Sequence, residues 1–167
     1  MKCAKIPEGG QPGTVLIVDD DLEDIRFTQR TIAAVSPQLR VMGLHSGKEL
    51  ISYLQAEHGY SDRTEFPYPS LILLDLRMPG MHGFHVLSWL REHPPHNFIP
   101  VVVLTASGEM MLAQQAYALG ARSFLTKPIG VNEFKETMGT FESLLSSAYW
   151  IICLVETKFH QALTYLL

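Results

Sequence analysis

Apolar residues occur along this chain in short unbroken runs that alternate with segments of helical periodicity. Leu71–Leu74 and Val101–Leu104 contain no charged residue, as is typical of central parallel strands covered on both faces. Val15–Val18 has the same character, and Arg40–Leu44 and Ser123–Leu125 are weaker strand candidates. The pattern therefore predicts five strands.

Helical periodicity follows each predicted strand. Four of the predicted helices run from about Leu22 to Val35, Lys48 to Glu57, Gly108 to Leu119 and Asn132 to Ser146. The third carries Phe84, Leu87, Trp89 and Leu90 and is expected to end before Pro94-Pro95. Ser46 is the expected cap of the second helix. His58–Ser70 is rich in turn residues and predicts a surface loop, in which Asp62, Arg63 and Glu65 are expected to be solvated. Five strand–helix alternations predict an α/β fold: a parallel sheet with helices on both faces.

The chain of 167 residues has the size of one ordinary domain. Residues 1–13 carry several glycines and prolines and are expected to form a flexible leader. The domain is expected over residues 14–147, followed by an apolar C-terminal extension over 148–167. Because that extension is too short for a core of its own, no DNA-binding or catalytic output domain is expected in it.

Composition narrows the classes of function. The chain is 47% apolar and 18% charged, as in folded globular proteins. Its net charge of −4 means that it lacks the excess of positive charge that attracts nucleic acid or anionic lipid. No apolar segment approaches the roughly 20 residues that span a bilayer. The two cysteines, Cys3 and Cys153, are expected to be free thiols. We therefore expect a cytoplasmic protein with neither nucleic acid nor membrane as a partner.

Polar residues follow the predicted strands at the points where the strands end. Asp19 and Asp20 follow the first strand, Asp75 the third, Thr105 the fourth and Lys127 the fifth. Ligands of open parallel sheets bind outside the carboxyl ends of the strands. These five residues are therefore expected to meet at one edge of the sheet, although they are far apart in sequence.

Such an edge suits the chemistry of phosphoryl groups. Crowded carboxylates repel one another, a divalent cation removes that repulsion, and oxygen ligands of this kind suit Mg²⁺. A cation, a hydroxyl and an ammonium together clamp phosphoryl oxygens, which leaves one carboxylate to act as the nucleophile. Asp75 is the best candidate, because it ends a central apolar strand and the Pro79-Gly80 turn keeps the space above it open. Asp21, by contrast, is expected to be a helix cap or turn residue.

Four sequence motifs stand in order at these strand ends. They are VLIVDDD, LILLDLRMPGMHG, PVVVLTAS and FLTKP. Together they resemble the response-regulator receiver domain of two-component signalling, over about residues 14–147. The resemblance implies a flavodoxin-like (βα)5 fold with strand order 2-1-3-4-5. The loop before the third strand and the ending FESLLSSAYWIICLV are most similar to stand-alone receivers that work with phytochrome-type and other histidine kinases.

The resemblance implies a role for each acidic residue at the edge. Asp75 is implied as the phosphoacceptor, Asp20 as a direct Mg²⁺ ligand and Asp19 as its outer-shell partner. The backbone carbonyl of Arg77 is implied as a further metal ligand. Thr105 is implied to hydrogen-bond the phosphoryl group.

The family pattern extends to the fifth strand and shows two departures. Lys127 is implied to pair with the phosphoryl group, and the Lys127–Pro128 bond is implied to be cis. Phe124 occupies the aromatic switch position, but it lacks a hydroxyl, so it can act by packing alone. His82 stands where the family usually has Asp, a departure expected to alter the turn and not the acceptor.

Other functions are weighed against a receiver that acts through protein contacts. A phosphorelay intermediate, which passes its phosphoryl group to a histidine of another protein, stays open. A phosphatase of the aspartate-nucleophile type carries a second Asp two residues after the nucleophile, where this chain has Arg77. A flavin carrier needs a phosphate-binding loop after the first strand, where three aspartates would repel a phosphate.

The apolar segment after the last predicted helix bears on assembly. Its large residues are Trp150, Ile151, Ile152, Leu154 and Val155. Burying each of them is worth about 1.5–3 kcal/mol, so exposing all of them is costly. We expect a homodimer in which this segment lies in a two-fold interface. The alternative is that the segment folds back on its own domain.

Overall fold

A computed structural model of the chain describes residues 13–106 and 110–139, and one five-stranded sheet forms its centre. The strands are β1 (Thr14–Val18), β2 (Arg40–Leu44), β3 (Leu71–Asp75), β4 (Val101–Thr105) and β5 (Ser123–Thr126). Their order is β2-β1-β3-β4-β5, and neighbouring strands are parallel throughout. The predicted flavodoxin-like α/β fold with strand order 2-1-3-4-5 is confirmed.

Helices connect the consecutive strands. They are α1 (Leu22–Val35), α2 (Gly47–Gln55), α3 (Gly83–Glu92), a short 3-10 helix (His96–Phe98) and α4 (Met110–Ala118). One compact unit ends at residue 131 and a second begins at residue 132, and the described residues 131–139 are helical. The bounds of α1 are those predicted from sequence. The predicted start of the fourth helix at Gly108 and end of the fifth at Ser146 lie outside the described residues.

Two helices begin at polar caps that the sequence indicates. The Asp21 side chain accepts a hydrogen bond from the backbone N–H of Glu23 at 2.8 Å and starts α1. Ser46 Oγ accepts one from the N–H of Glu49 at 3.1 Å and starts α2. Each cap satisfies a donor that the first helical turn leaves without an intrahelical partner. Both capping expectations are confirmed.

The sheet is buried between layers of helices. Strand side chains alternate between its two faces. One face joins α2 and α3 in an apolar cluster that includes Leu16, Ile72, Val103, Leu50 and Leu87. Helix α1 lies against β1 and β2. Gly43 allows that approach, because a Cβ on it would lie 2.6 Å from Ile25 Cγ2 of α1.

Two arginines fasten the loop between α2 and β3: Arg40 of β2 donates to the carbonyl oxygens of Thr64 and Glu65, and Arg63 binds within the loop itself. The Arg63 guanidinium donates to the carbonyl oxygen of Leu54 at 2.8 Å and to that of Phe66 at 3.1 Å. The expectation of a solvated Arg63 is therefore wrong, because the fold turns two carbonyl groups toward it that local sequence does not reveal. The other two loop residues are exposed as expected, namely Asp62 and Glu65.

Three further expectations concern single features of the chain. The Lys127–Pro128 peptide bond is cis, as the family resemblance implies. None of the helices in the described ranges has the length and apolar character needed to cross a bilayer. Apart from Gly13, the predicted leader lies outside the described residues, and so does the whole extension 148–167.

Candidate acidic site at the carboxyl ends of the strands

Loops from four parallel strands converge because the strands end at the same level. In the sheet register Val18 of β1 lies beside Leu74 of β3, and Thr105 of β4 lies beside Thr126 of β5. The residues that follow are therefore neighbours in space. The structure brings together every residue that the sequence analysis placed at this edge, namely Asp19, Asp20, Asp75, Thr105 and Lys127.

Three carboxylates form the acidic cluster of the site. One oxygen each from Asp19, Asp20 and Asp75 lies within 4.8 Å of the other two. Asp19 is 1% exposed and Asp75 is 6% exposed, whereas Asp20 is exposed to solvent. Asp19 and Asp75 are therefore shielded from water, whereas Asp20 is in contact with it, so solvent can reach the cluster from one side.

The Lys127 ammonium balances part of this negative charge. Its Nζ lies 2.6 Å from Asp19 Oδ2 and 2.9 Å from Asp75 Oδ1. Burial by itself lowers the pKa of Lys127, but the hydrogen bonds and charges of Asp19 and Asp75 outweigh burial and raise that pKa above its usual value. Lys127 is therefore a fixed positive charge at the site.

Asp19 has one oxygen that is hydrogen-bonded and one that is not. Its Oδ1 accepts the backbone N–H of Asp21 at 3.0 Å. Its Oδ2 is buried beside Lys127 Nζ, yet it accepts no hydrogen bond of normal geometry from the described part of the chain. Burial raises the pKa of the Asp19 carboxyl, against the opposing effects of Lys127 and the Asp21 N–H. The charge of this buried oxygen is balanced by the Lys127 ammonium at 2.6 Å.

Asp75 is positioned by the loop that follows β3. Its Oδ2 accepts the backbone N–H of Arg77 at 2.8 Å, while its Oδ1 faces Lys127. The loop is closed by Gly83, which donates its N–H to the carbonyl oxygen of Leu76 at 3.0 Å. A Cβ on Gly83 would lie 2.5 Å from the carbonyl oxygen of Asp75, so this approach requires glycine.

Thr105 and Lys127 are linked through the backbone. The N–H of Lys127 donates to the carbonyl oxygen of Thr105 at 2.8 Å, just beyond the paired ends of β4 and β5. Thr105 is buried, and its hydroxyl donates to the carbonyl oxygen of Ala106 at 3.2 Å. A hydroxyl on β4, the neighbour of the strand that carries Asp75, and an ammonium just after β5 are thereby linked.

The residues present fit a hard divalent cation. The three clustered groups all offer carboxylate oxygens, the ligands preferred by Mg²⁺ and Mn²⁺. Two of these carboxylates share the single Lys127 ammonium, so the cluster carries more negative charge than this one cation balances. Exposure of Asp20 leaves one side of the cluster open to water or to oxygens of a reactant.

Phe124 of β5 is partly buried and contacts an aromatic residue that the sequence analysis did not identify. Its ring centroid lies 6.0 Å from that of Tyr117 on α4, with the ring planes at 77°. Tyr117 is 46% exposed. The candidate switch position is therefore joined to the surface of α4 by an edge-to-face contact.

Asp24 is the site residue that sequence reasoning missed. It lies in the first turn of α1, and its Oδ2 is 3.0 Å from Lys127 Nζ. No local signal singles it out, because acidic residues are common in the first turn of a helix, where they complement the helix dipole. The contact with Lys127 itself joins parts of the chain too distant for a local pattern to reveal.

The fold and the site define the class of this protein. A five-stranded parallel sheet of order 2-1-3-4-5 carries an acidic cluster, a threonine and a lysine at its carboxyl edge. Residues 15–138 match the family described as the response regulator receiver domain. The chain belongs to this family.

Among known proteins, the response regulator Rcp1 of Synechocystis sp. is 32% identical to this chain over 133 residues, which is 79% of this chain and 88% of Rcp1. RpfG of Xanthomonas campestris pv. campestris, a cyclic di-GMP phosphodiesterase response regulator, is 32% identical over 121 residues, which is 72% of this chain. That match spans 29% of RpfG, so the similarity covers less than a third of that relative.

Two crystal structures illustrate the similarity in three dimensions. The phosphorylated cyanobacterial phytochrome response regulator RcpA matches with a TM-score of 0.66 at 31% identity, over 81% of this chain and 96% of RcpA. The Mn²⁺-bound form of Rcp1 matches with a TM-score of 0.64 at 32% identity, over 77% of this chain and 91% of Rcp1. Both are response regulators of the receiver fold.

Proposed function

We propose that this chain is a response regulator that accepts a phosphoryl group on Asp75 from a phosphohistidine of a histidine kinase. The surroundings of Asp75 carry the proposal: its carboxylate is buried, lies 2.9 Å from the Lys127 ammonium and shares a cluster with Asp19 and Asp20. Phosphoryl transfer depends mainly on positioning and charge neutralisation, and a nucleophilic carboxylate beside a fixed cation provides both.

In the proposed step, a carboxylate oxygen of Asp75 attacks the phosphorus atom of the phosphohistidine. An O–P bond forms, and the P–N bond to the kinase histidine breaks. The bonding electrons stay with the ring nitrogen, and the ring leaves as neutral imidazole because its other nitrogen is protonated. The product is an aspartyl phosphate, a mixed anhydride of the Asp75 carboxyl group.

We assign Mg²⁺ to the acidic cluster. Asp20 and Asp75 would be its direct carboxylate ligands, the carbonyl oxygen of Arg77 a further ligand, and Asp19 its outer-shell partner. A bound Mg²⁺ would neutralise charge on the phosphoryl oxygens. The geometry of the three carboxylates supports the assignment, as does the existence of an Mn²⁺-bound form of the relative Rcp1.

In the proposal, Thr105 and Lys127 bind the oxygens of the phosphoryl group. The Thr105 hydroxyl would donate a hydrogen bond to the group, and Lys127 would pair with its charge. Movement of Thr105 would leave space into which Phe124 turns. Because Phe124 contacts Tyr117, this turn would alter the surface formed by β5 and α4, a small packing change with two discrete states.

The protein would act in the cytoplasm with a histidine kinase as its partner, and a phytochrome-type kinase is favoured because the similar protein RcpA is a phytochrome response regulator. The output would be protein–protein contacts, with at most slow self-dephosphorylation. A phosphatase of the aspartate-nucleophile type is disfavoured, because Arg77 occupies the position of its second aspartate.

Intact-mass measurement of the protein incubated with acetyl phosphate tests the proposal. We expect one added phosphoryl group with Mg²⁺ and little with a chelator. Asp20→Ala should weaken Mg²⁺ binding in calorimetry, whereas Glu92→Ala, which removes an exposed charge at the C-terminal end of α3, should not. If neither acetyl phosphate nor a phosphorylated histidine kinase transfers a phosphoryl group to the protein, the proposal fails. Transfer of the label to an added histidine phosphotransfer protein would favour the phosphorelay alternative.

A further inference from the structure

The Lys127 ammonium has a third carboxylate partner that approaches it from the solvent side. Asp24 Oδ2 lies 3.0 Å from Nζ and accepts a hydrogen bond from it, while Asp19 and Asp75 contact the same nitrogen from within the site. The Asp24 side chain is 45% exposed, compared with 2% for Asp19 and 9% for Asp75. An ammonium with three N–H donors therefore faces three carboxylates in the described structure.

Asp24 contacts the lysine without belonging to the acidic cluster. The carboxylate oxygens that converge within 4.8 Å in the described ranges come from Asp19, Asp20 and Asp75, and Asp24 is not among them. Its effect on the site is therefore expected to pass through Lys127 and not through a bound cation. This distinguishes Asp24 from Asp19 and Asp20.

Lys127 does not need Asp24 in order to stay at the site. Its side chain is 18% exposed, and it is already held at 2.6 Å by Asp19 and at 2.9 Å by Asp75. A phosphoryl group on Asp75 would need N–H donors of this ammonium, and the hydrogen bond to Asp24 occupies one of them. This hydrogen bond draws the ammonium away from Asp75 and toward α1.

We propose that Asp24 is a positioning residue that competes with the phosphoryl group for Lys127, and so weakens the phosphorylated state. The inference rests on the proposed function, because it requires Asp75 to carry the phosphoryl group. Half-exposed ion pairs are worth little, so loss of the competition should strengthen phosphoryl binding by about two- to five-fold.

Binding of beryllofluoride with Mg²⁺ measures this competition, because the anion is a noncovalent mimic of a phosphoryl group on aspartate. Calorimetry should compare the full-length wild-type protein with Asp24→Asn, Asp24→Glu and Glu23→Gln. Glu23 is a matched control: it lies in the same helical turn, carries the same charge, and pairs with Arg26 and not with Lys127. Asp24→Asn should bind about two- to five-fold more tightly than wild type. Glu23→Gln should match wild type, and Asp24→Glu should return toward it.

A second measurement does not depend on beryllofluoride. In metal-free protein, an amine-acylating reagent should modify Lys127 faster in Asp24→Asn than in Glu23→Gln, as read by peptide mass spectrometry. A merely structural role for Asp24 would weaken beryllofluoride binding and could not tighten it.

The outcomes separate this inference from the proposed function. If wild type binds beryllofluoride and Asp24→Asn binds no more tightly than Glu23→Gln, the competition is overturned and the acceptor role stands. Equal acylation of Lys127 in the two variants also overturns it. Wild-type protein that binds no beryllofluoride overturns the proposed function, and this inference with it.

Discussion

The backbone N–H of Lys127 donates to the carbonyl oxygen of Thr105 over 2.8 Å. This bond ties the segment after β5 to the end of β4, next to the strand that carries Asp75. The ammonium and the hydroxyl expected to receive a phosphoryl group are therefore positioned by the sheet and not by flexible loops. Sites built on regular elements hold their geometry more closely than sites built on loops.

The close approach at Gly83 gives a prediction about the loop that positions Asp75. In Gly83→Ala the new methyl would meet the Asp75 carbonyl oxygen at 2.5 Å and Leu76 Cα at 2.8 Å, both of which are backbone atoms. We expect a loss of about 1–3 kcal/mol in unfolding free energy, together with slower phosphoryl uptake. Urea unfolding and acetyl phosphate labelling measure the two effects. Gly139→Ala is the control, because no atom lies within 4 Å of the added carbon there, and wild-type behaviour of Gly83→Ala would contradict the geometry.

The arginine within the loop between α2 and β3 gives a second prediction. Arg63→Ala would leave the carbonyl oxygens of Leu54 and Phe66 without this donor and remove a cation over the Tyr53 ring, 5.6 Å from its centroid. We expect a loss of about 1–3 kcal/mol in unfolding free energy. Chemical denaturation should show this loss, whereas Arg91→Ala, at an exposed position on α3, should stay near wild type. Equal stability of the two variants would show that the loop does not depend on Arg63.

A stack of aromatic rings surrounds His96. Its ring stacks on Trp89 and on Tyr68, and the Tyr68 hydroxyl lies 2.6 Å from His96 Nδ1, as in donation to a neutral imidazole. Burial lowers the pKa of His96 from its usual 6.5, and the charges of His93 and Arg63 act in the same direction. Because the unfolded chain binds this proton more tightly, acidification below the unfolded pKa favours unfolding.

We therefore predict that His96 makes the fold less stable as pH falls below 6.5 toward its lowered folded-state pKa, and makes no such contribution above that range. Denaturation of wild type and His96→Gln at about pH 7.5 and about pH 5.5 measures this difference. The variant should lose less stability than wild type on acidification. His85→Gln, at an exposed position on α3, should keep the wild-type dependence. A His96→Gln protein with an unchanged pH dependence would exclude this role.

Assembly stays a prediction, because residues 148–167 lie outside the described part of the chain. A homodimer is expected from the apolar residues Trp150 to Val155. Sedimentation of full-length protein at tens of micromolar should give a dimer, and Ile152→Asp should give a monomer because it buries a charge at the interface. Thr157→Asp adds the same charge outside the apolar run and serves as control. A monomeric wild type, or a dimer unaffected by Ile152→Asp, would favour an extension that folds back on its own domain.

The features predicted from sequence are those that a local pattern specifies. Strand β3 is a run of apolar residues that must be covered on both faces, and α1 is bounded by the Asp21 cap and by Ser36-Pro37. Convergence of Asp75 and Lys127 followed from the rule that parallel strands end at a common edge. These expectations needed no knowledge of specific side-chain contacts.

The missed features are specific contacts of single side chains. Asp24 meets Lys127 across 103 positions, and Tyr117 of α4 meets Phe124 of β5 through their rings. Arg63 was taken for a solvated residue because its sequence context is polar, whereas the path of the loop turns the carbonyl groups of Leu54 and Phe66 toward its guanidinium. Periodicity fixes which face of an element is buried, but not which polar atoms meet across the boundary between elements.

Phosphoryl uptake by Asp75→Asn tests the central claim most directly. The full-length variant should be incubated with acetyl phosphate and Mg²⁺ beside wild type and Asp62→Asn, which makes the same chemical change in the exposed loop before β3. Circular dichroism should confirm that both variants are folded. We predict one acid-stable, hydroxylamine-labile phosphoryl group on wild type and on Asp62→Asn, and none on Asp75→Asn. Equal labelling of Asp75→Asn and wild type would contradict the assignment of Asp75 as the acceptor.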